Sequence, residues 1–446
     1  MERFYLENFG CRATQADGAA LERQLLDEGL LRAESPVEAQ VVVLNTCTVT
    51  SSADQDARST IRRIHRQNPG ARILVTGCYA QRAPEEIAKI PGVSIVVGNS
   101  HKHQLASIAS SMPDFVSLGS LAAPPKAGEI LVGDIFAHTE LMAAPVFEAD
   151  TASEKTRPNL KVQDGCNNRC SFCVIPYVRG KSRSLRVEDV LRETRALVSL
   201  GYKEIVLSGI NLGRWGRDFG SASRLRFVDL LRTMLKESEI QKIRISSVEP
   251  MDWSDELIEL VATSPRICKH AHVPLQSGSD RILRRMHRKY RPWHYADRIS
   301  KLQVAMPEAA IGADVMVGFP GEADEHFEET REFIESLPFT YLHVFTYSSR
   351  PGTPTAAMPD QVRGDVTRER NRILRELAAK KKREFQERFL ARNIEAITLT
   401  NFEDDRTEAL TDNYQKMWIE GRHKANQMVA PRITGIEGET LVGELP

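Results

Sequence analysis

Three cysteines in one short loop constrain this chain more than any other feature. Cys166, Cys170 and Cys173 stand at offsets of four and three. Clustered thiolates bind soft metals. A zinc site usually needs four ligands, but the next cysteine along the chain is Cys268. Three ligands suit a [4Fe–4S] cluster with one iron open to a cofactor or substrate. Three packed cysteines, or a zinc loop completed by a distant ligand, are the alternatives.

This loop, residues 165–173, resembles the CxxxCxxC signature of radical S-adenosylmethionine (SAM) enzymes, with the aromatic Phe172 before the third cysteine. The resemblance implies that the open iron chelates the amino and carboxylate groups of SAM. It also implies that an electron from the cluster splits SAM into methionine and a 5′-deoxyadenosyl radical.

The composition predicts a multidomain protein of the cytoplasm. A length of 446 residues suggests about three domains. Residues 1–5 lack the apolar core of a signal peptide, and no apolar run reaches membrane-spanning length. In a reducing compartment, the seven cysteines are expected to be metal ligands or catalytic groups, not disulfides. Lys+Arg and Asp+Glu both total 60, so net charge indicates no partner.

Three further cysteines follow predicted strands in the first 118 residues. Apolar, β-branched runs alternate there with helical patterns, which predicts an open parallel α/β sheet. Cys11, Cys47 and Cys78 each come directly after such a run. Ligands of parallel sheets bind beyond the carboxyl ends of the strands. The pattern therefore favours a second three-cysteine cluster over three small buried hydrophobic residues.

The sequence around these cysteines resembles the N-terminal domain of the methylthiotransferases, a family of radical SAM enzymes. Residues 9–11, 45–50 and 75–81 carry the likeness, although Thr14 stands where the family usually has asparagine. The resemblance implies that Cys11, Cys47 and Cys78 hold a second [4Fe–4S] cluster. That cluster would carry the sulfur, and the cluster on Cys166, Cys170 and Cys173 would cleave SAM.

The rest of the chain divides into three parts. Residues 119–156 are irregular and predict a connector. Residues 157–390 contain six strand–helix repeats and a long final helix, which predict a partial (β/α)6 barrel with its chemistry at the carboxyl ends of the strands. Residues 391–446 predict a small β-barrel similar to the TRAM domain of the family. The fold class is therefore α/β.

The turns that follow the predicted barrel strands match those of the family. The resemblance implies that Arg183 is a partner of the SAM carboxylate, and that it lies near SAM with six other residues: Phe172, Gly209, Asn211, Glu249, Gln276 and Gly318. Cys268, His270 and His272 share one face of a predicted strand. We expect them to be hydrogen-bonded side chains that line the barrel; a third metal site is the alternative.

Local charge suggests a nucleic-acid partner. Residues 157–186 hold seven Lys/Arg and one acid, and residues 281–291 hold six Lys/Arg and no acid. Both clusters flank predicted active-site loops, as a phosphate-binding rim would; ordinary solvated arginines are the alternative. By contrast, residues 386–446 hold seven basic and eleven acidic residues, so we expect the rim, and not the terminal domain, to bind RNA.

Within the family, residues 45–50, 163–168 and 246–250 are most similar to one branch. That branch adds a methylthio group to C2 of N6-threonylcarbamoyladenosine at position 37 of tRNA, beside the anticodon. The alternatives are an aspartate of a ribosomal protein, isopentenyladenosine in tRNA, or a non-enzymatic iron–sulfur or zinc protein that binds RNA. The resemblance implies two [4Fe–4S] clusters, SAM, tRNA, and an electron donor such as flavodoxin or ferredoxin.

Overall fold

The computed structural model describes residues 2–111, 128–137, 156–220 and 224–445. The chain forms two compact units, each built from separate stretches of sequence. Unit 1 comprises residues 1–145, 163–183 and 348–353, and unit 2 comprises residues 146–162, 184–347 and 354–446. The cysteine loop at residues 163–183 therefore belongs to the same unit as the N-terminal sheet.

Unit 1 is built on a six-stranded parallel sheet in the order β2-β1-β3-β4-β5-β6. Its central strands are continuous apolar runs because helices cover both faces. Its elements are β1 (Arg3–Asn8), α1 (Arg12–Asp27), β2 (Leu31–Arg32), β3 (Val41–Thr46), α2 (Ser51–Gln67), β4 (Arg72–Gly77), α3 (Cys78–Arg82), α4 (Pro84–Ala88), β5 (Val93–Gly98), α5 (Leu105–Ser111), β6 (Glu129–Leu131) and, after the cysteine loop, α6 (Ile175–Arg179).

Two hydrophobic cores lie on opposite faces of this sheet. One contains Leu21 and Leu25 of α1 with Leu105 of α5, and the other contains Ile61 of α2 and Ile87 of α4. The predicted open α/β sheet is therefore confirmed. The predicted connector, residues 119–156, contains one described strand, β6, which pairs with β5. Most other residues of that connector lie outside the described part of the chain.

Unit 2 contains the strand–helix repeats. Two sheets, ordered β10-β9-β7-β8 and β11-β12-β13, are joined by parallel bridges from Ile243 to Ile267 and from Ser247 to His272. The elements are β7 (Asn159–Asp164, whose last two residues belong to unit 1), β8 (Arg183–Ser184), α7 (Val187–Ser199), β9 (Glu204–Gly209), α8 (Phe227–Glu237), β10 (Lys242–Ile245), α9 (Asp255–Thr263), β11 (His270–His272), α10 (Asp280–Arg285), α11 (Pro292–Ala305), β12 (Ala310–Val317), α12 (Asp324–Ser336), β13 (Tyr341–Thr346) and α13 (Gly364–Glu387).

Six of these strands match the six predicted barrel strands, so the partial (β/α)6 barrel is confirmed. The terminal residues form a curled six-stranded sheet in the order β17-β14-β15-β16-β19-β18. Its core includes Phe385 and Phe389, at the end of α13 and just beyond it. The strands are β14 (Ala396–Glu403), β15 (Arg406–Thr411), β16 (Lys416–Glu420), β17 (Met428–Val429), β18 (Arg432–Glu437) and β19 (Thr440–Glu444). Across the described residues, every helix is too short or too polar to span a bilayer.

A buried ion pair ties neighbouring barrel strands together. The guanidinium of Arg244 on β10 donates to both carboxylate oxygens of Glu204 on β9, at 2.7 and 3.2 Å. Both side chains are almost fully buried. Burial raises the pKa of Glu204, but Arg244 and Arg157 together lower it by more, so the carboxylate stays ionised.

We expect Glu204→Ala to destabilise unit 2 by about 3–5 kcal/mol, because Arg244 would keep a buried charge without its carboxylate. Urea denaturation would measure the loss. Glu376→Ala is the matched control, since Glu376 pairs at 2.5 Å with Arg372 on the surface of α13. This control should leave the denaturation midpoint almost unchanged. Equal effects of the two substitutions would contradict the prediction.

Candidate metal centres and cofactor site

Cys11, Cys47 and Cys78 come together at the carboxyl edge of the unit 1 sheet. Cys11 caps α1, Cys47 follows β3, and Cys78 begins α3 directly after β4. Burial raises the pKa of Cys47 to about 12, and the neighbouring Cys78 and Cys11 add to that effect. Strands β1, β3 and β4 are neighbours in the sheet, so the three cysteines that follow them lie together at one edge, as the sequence predicts.

Glycine at position 10 makes this approach possible. Gly10 has φ +94°, and a Cβ built on it would lie 2.5 Å from Cys47 Cβ and 2.8 Å from Cys47 Sγ. Any side chain at this position would collide with the cysteine and strain the backbone. Position 10 therefore requires glycine, since the main chain of this residue passes directly over the Cys47 side chain.

Polar side chains lie beside the cysteine site and contact the thiols of Cys11 and Cys78. The Asn45 side chain donates to Asn8 Oδ1 at 2.9 Å and to the Thr14 carbonyl at 2.8 Å. Thr14 Oγ1 lies 3.5 Å from Cys11 Sγ, so threonine still supplies a polar contact at the position where the family usually has asparagine. Asn99 donates to Cys78 Sγ at 3.6 Å.

The second cysteine loop is held at its base. Gln163 donates to the carbonyl oxygens of Asp164 and Gly165, both at 2.8 Å, and Cys166 N donates to the Gly180 carbonyl at 3.1 Å. Within the loop, Asn168 N donates to Cys166 Sγ at 3.4 Å. The three cysteines are partly exposed, as a cluster with an accessible iron would require.

Helix α6, which follows this loop, packs on the N-terminal cysteine site. Val174, at the start of the helix, and Val178 form a small apolar cluster with Cys78. The Asn99 side chain, besides its contact with Cys78, donates to the Val178 carbonyl at 2.8 Å. The two cysteine trios are therefore neighbours within one compact unit.

Arg179, at the end of α6, is the charged centre of this contact. Its guanidinium donates to Asp164 at 3.0 and 3.1 Å and to Asp17 of α1 at 2.9 Å, and its side chain is 2% exposed. Lys102 also binds Asp17, at 3.1 Å. Burial alone would lower the pKa of Arg179, but Asp164 and Asp17, with a smaller effect of the nearby cysteines, raise it.

Both trios fit a cluster better than a single ion. Within the described ranges, only one group of His, Cys, Asp and Glu has three ligand atoms within 4.8 Å of one another: His272, Asp314 and His343. In a [4Fe–4S] cube each cysteine binds a different iron, so the sulfur atoms stand farther apart than the ligands of one ion. Two all-cysteine donor sets, one under a glycine cradle, match that arrangement.

The predicted SAM-contacting residues belong to both units. In unit 2, Gly209 and Asn211 lie at and beyond the end of β9, and Glu249 follows β10 and accepts a hydrogen bond from Arg288. Gln276 has φ +69°, which is unusual for a residue other than glycine, and strain of this kind often marks a binding site. Gly318 has φ +77°, and a Cβ there would meet Thr367 Oγ1 at 2.4 Å.

In unit 1, Phe172 is partly buried within the cysteine loop. Arg183 has an ion pair in the structure with Asp164, at 3.8 Å between Nη2 and Oδ2. Its predicted role as a partner of the SAM carboxylate stays a prediction.

The predicted basic rim is only partly at the surface. Arg179 and Arg183 are buried, as is Arg288, which pairs with Glu249. Arg284 and Arg291 both pair with Asp280, the acidic residue just before the basic run. The sequence count was therefore wrong as an estimate of charge available to phosphate, because several of these arginines neutralise internal or neighbouring carboxylates.

Two structural features are not evident from the sequence. Arg179 belongs to the predicted basic rim, but the structure buries it beside the cysteine sites. Asp314 of β12 and His343 of β13 lie beside His272, although the sequence pattern singles out neither of them. The relevant signal was the alternation that places His343 on the same face of its strand as Tyr341.

Comparisons with known proteins agree with this architecture. The Radical SAM superfamily model matches residues 160–334, and the model described as uncharacterized protein family UPF0004 matches residues 3–98. A solved structure of the radical SAM methyltransferase TsrM from Kitasatospora setae superposes with a TM-score of 0.55 at 15% identity, covering 80% of this chain and 77% of that one. At this identity the likeness concerns the fold alone.

Similar proteins of known function indicate which family of the radical SAM superfamily this chain resembles. Threonylcarbamoyladenosine tRNA methylthiotransferase MtaB of Bacillus subtilis is 39% identical over 92% of this chain and 89% of the relative. A tRNA-2-methylthio-N(6)-dimethylallyladenosine synthase of Saccharopolyspora erythraea is 36% identical over 84% of this chain and 74% of the relative. The chain therefore belongs to the radical SAM superfamily and, within it, to the methylthiotransferase family.

We expect Gly10→Ala to displace Cys47 and so to lower the iron held by unit 1 after anaerobic reconstitution. Gly29→Ala is the matched control, because Gly29 also has a positive φ, +84°, but nothing lies within 4 Å of its Cβ position. Both variants bear a backbone cost of about 1–2 kcal/mol. Only Gly10→Ala should lose iron, and equal iron in the two variants would argue against the cradle.

Proposed function

We propose that this protein adds a methylthio group to C2 of N6-threonylcarbamoyladenosine at position 37 of tRNA. The observation that carries the proposal is the presence of two three-cysteine sites in one compact unit, joined through α6 and Arg179. The names of the relatives support the substrate, and the MtaB relative has higher identity than the dimethylallyladenosine synthase. Nothing in these comparisons favours a ribosomal-protein substrate.

The two cysteine sites divide the chemistry. We assign Cys166, Cys170 and Cys173 to the cluster that binds and cleaves SAM, because their loop is partly exposed. We assign Cys11, Cys47 and Cys78 to the cluster that carries the sulfur. When bound, these groups supply a radical and an activated sulfur, while the protein positions them and limits access of water.

The residues of this chain orient the two sites relative to each other. Arg179 neutralises Asp17 and Asp164, and so fixes α6 against α1 and against the end of β7. Lys102 contacts the same carboxylate oxygen of Asp17, Oδ2, as Arg179 does, and adds a second positive charge beside it. We propose that Phe172, Arg183, Gly209, Asn211, Glu249, Gln276 and Gly318 contact SAM.

The proposal implies two partners. We propose that exposed Arg281 and Lys289 in unit 2 contact tRNA phosphates. We also propose that a one-electron donor of the flavodoxin or ferredoxin type reduces the SAM-cleaving cluster. Such an enzyme would act in the cytoplasm, where tRNA is modified.

Replacing one cysteine of each trio should separate the two roles. Cys47→Ala is expected to cleave SAM to 5′-deoxyadenosine under reduction but to form no methylthio product. Cys170→Ala should form neither product. Mass spectrometry of tRNA nucleosides and of 5′-deoxyadenosine would measure both outcomes. Normal product formation by Cys47→Ala would show that the N-terminal cysteines are structural.

The controls follow from the packing of unit 1. Cys47 lies outside the apolar cluster that joins Cys78 to α6, so its loss should disturb the second loop least. Iron analysis should show that Cys47→Ala keeps about half of the eight irons expected from two cubes. Loss of nearly all iron would mean that the variant had misfolded, and Cys47→Ser would then replace it in the same assay.

A further inference from the structure

Three side chains on neighbouring strands of unit 2 form a compact group outside the cysteine sites. His272 ends β11, Asp314 lies in the middle of β12, and His343 lies in β13 directly opposite Asp314 in the strand register. His272 Nε2 and His343 Nδ1 lie 3.3 and 3.2 Å from the same carboxylate oxygen, Asp314 Oδ1. All three ligand atoms lie within 4.8 Å of one another.

The two distances to Asp314 Oδ1 match the edges of a metal coordination shell. The edge of a tetrahedron is about 1.6 times the bond from centre to corner. Zinc–ligand bonds of about 2.0–2.1 Å therefore give edges of about 3.3–3.4 Å. Hydrogen bonds from a charged imidazole to a carboxylate are usually shorter, about 2.7–2.9 Å. The contact of His343 Nδ1 with Asp314 Oδ1 is a hydrogen bond at the long end of the usual range, and the same spacing equals the edge between two ligands of one ion.

The hydrogen bonding of His272 supports the same conclusion. Its Nε2 is buried and, within the described residues, forms no hydrogen bond of acceptable geometry, although Asp314 Oδ1 is only 3.3 Å away. A buried polar nitrogen left without a partner is costly. A metal ion that accepts the lone pair of this nitrogen would remove that cost.

Charge and access also suit a cation. Asp314 supplies a largely buried carboxylate between the two imidazoles. His343 is half exposed and His272 nearly buried, so the group is closed on one side and open on the other. Two imidazoles and one carboxylate with an open position form a common ligand set of functional metal sites.

We propose that His272, Asp314 and His343 bind a divalent metal ion of the zinc type and leave its fourth position open to an oxygen donor. The site adjoins the candidate cofactor turns, because Gln276 N donates to the Asp314 carbonyl at 2.8 Å. Resting on the proposed function, the oxygen donor would be the carboxylate of the threonylcarbamoyl group of the substrate. Cys268 and His270 take no part, since Cys268 lies beside Glu204 and His270 bonds Tyr341.

Zinc titration of the iron-loaded holoenzyme tests the metal site without any tRNA. We expect about one Zn²⁺ to bind per chain. His343→Ala and Asp314→Asn should each weaken that binding at least about 100-fold, because even partners outside the ligand set contribute about 10- to 100-fold. His294→Ala, which removes an exposed histidine elsewhere in unit 2, should bind zinc like the wild type.

Iron content separates this site from the cysteine sites. It should stay constant in every variant and throughout the titration, whereas zinc entering a cysteine site would displace iron. The proposal is overturned if the wild type binds no zinc, or if His343→Ala and Asp314→Asn bind it as tightly as His294→Ala does. In that case the three side chains only share protons.

A second titration tests the oxygen donor. Free N6-threonylcarbamoyladenosine should tighten zinc binding by the wild type, and adenosine, which lacks the carboxylate, should not. By linkage, zinc should tighten binding of the modified nucleoside by the same factor. Zinc binding that the nucleoside leaves unchanged would overturn the substrate part alone. Failure of the methylthiotransferase assay would leave the metal result standing.

Discussion

The position of Arg179 determines how unit 1 is assembled. Its guanidinium is buried between carboxylates that come from distant parts of the sequence: Asp17 in the first helix and Asp164 beside the cysteine loop. A charge buried at this depth is stable only if each of its partners is in place. Formation of the ion pairs therefore requires the N-terminal sheet and residues 163–183 to fold together, which is why the boundary of the compact unit lies inside the sequence of the barrel.

Features set by local pattern could be predicted from the sequence. The apolar runs of β3 and β4 predict the parallel sheet. The cysteines that follow these runs predict the N-terminal site, because side chains at the carboxyl ends of parallel strands lie along one edge of the sheet. Features set by pairing between distant residues could not. The group of His272, Asp314 and His343 depends on the register of three strands, which no single strand encodes.

The solvent exposure of charged side chains is a second property that the sequence alone does not predict. Arg288 and Arg291 look alike in a basic run, but one is buried against Glu249 and the other pairs with Asp280. Whether an arginine faces solvent is decided by packing from other elements. Strand β6 could not be predicted for a related reason. Its three residues form a strand only because they pair with β5.

The terminal β-sheet is attached to the barrel by charge as well as by apolar packing. Asp412, in the turn after β15, accepts hydrogen bonds from Lys242 Nζ at 3.0 Å and from the main-chain nitrogen of Lys269 at 3.1 Å, and its carbonyl accepts one from Arg244. Tyr414 stacks on His270 with ring centroids 4.2 Å apart. At least one of the acidic residues of this sheet, Asp412, thus pairs with cations of the barrel.

A deletion of residues 393–446 would consequently expose the part of the barrel that the terminal sheet covers. It would also leave Lys242 and Arg244 without these partners. Weak RNA binding by such a truncated chain would be a symptom of damaged folding, with no bearing on where the RNA sits. The same dependence applies to chimeric proteins. A terminal sheet taken from a relative can pack on this barrel only if the turn equivalent to that of Asp412 also carries an acidic residue that pairs with Lys242.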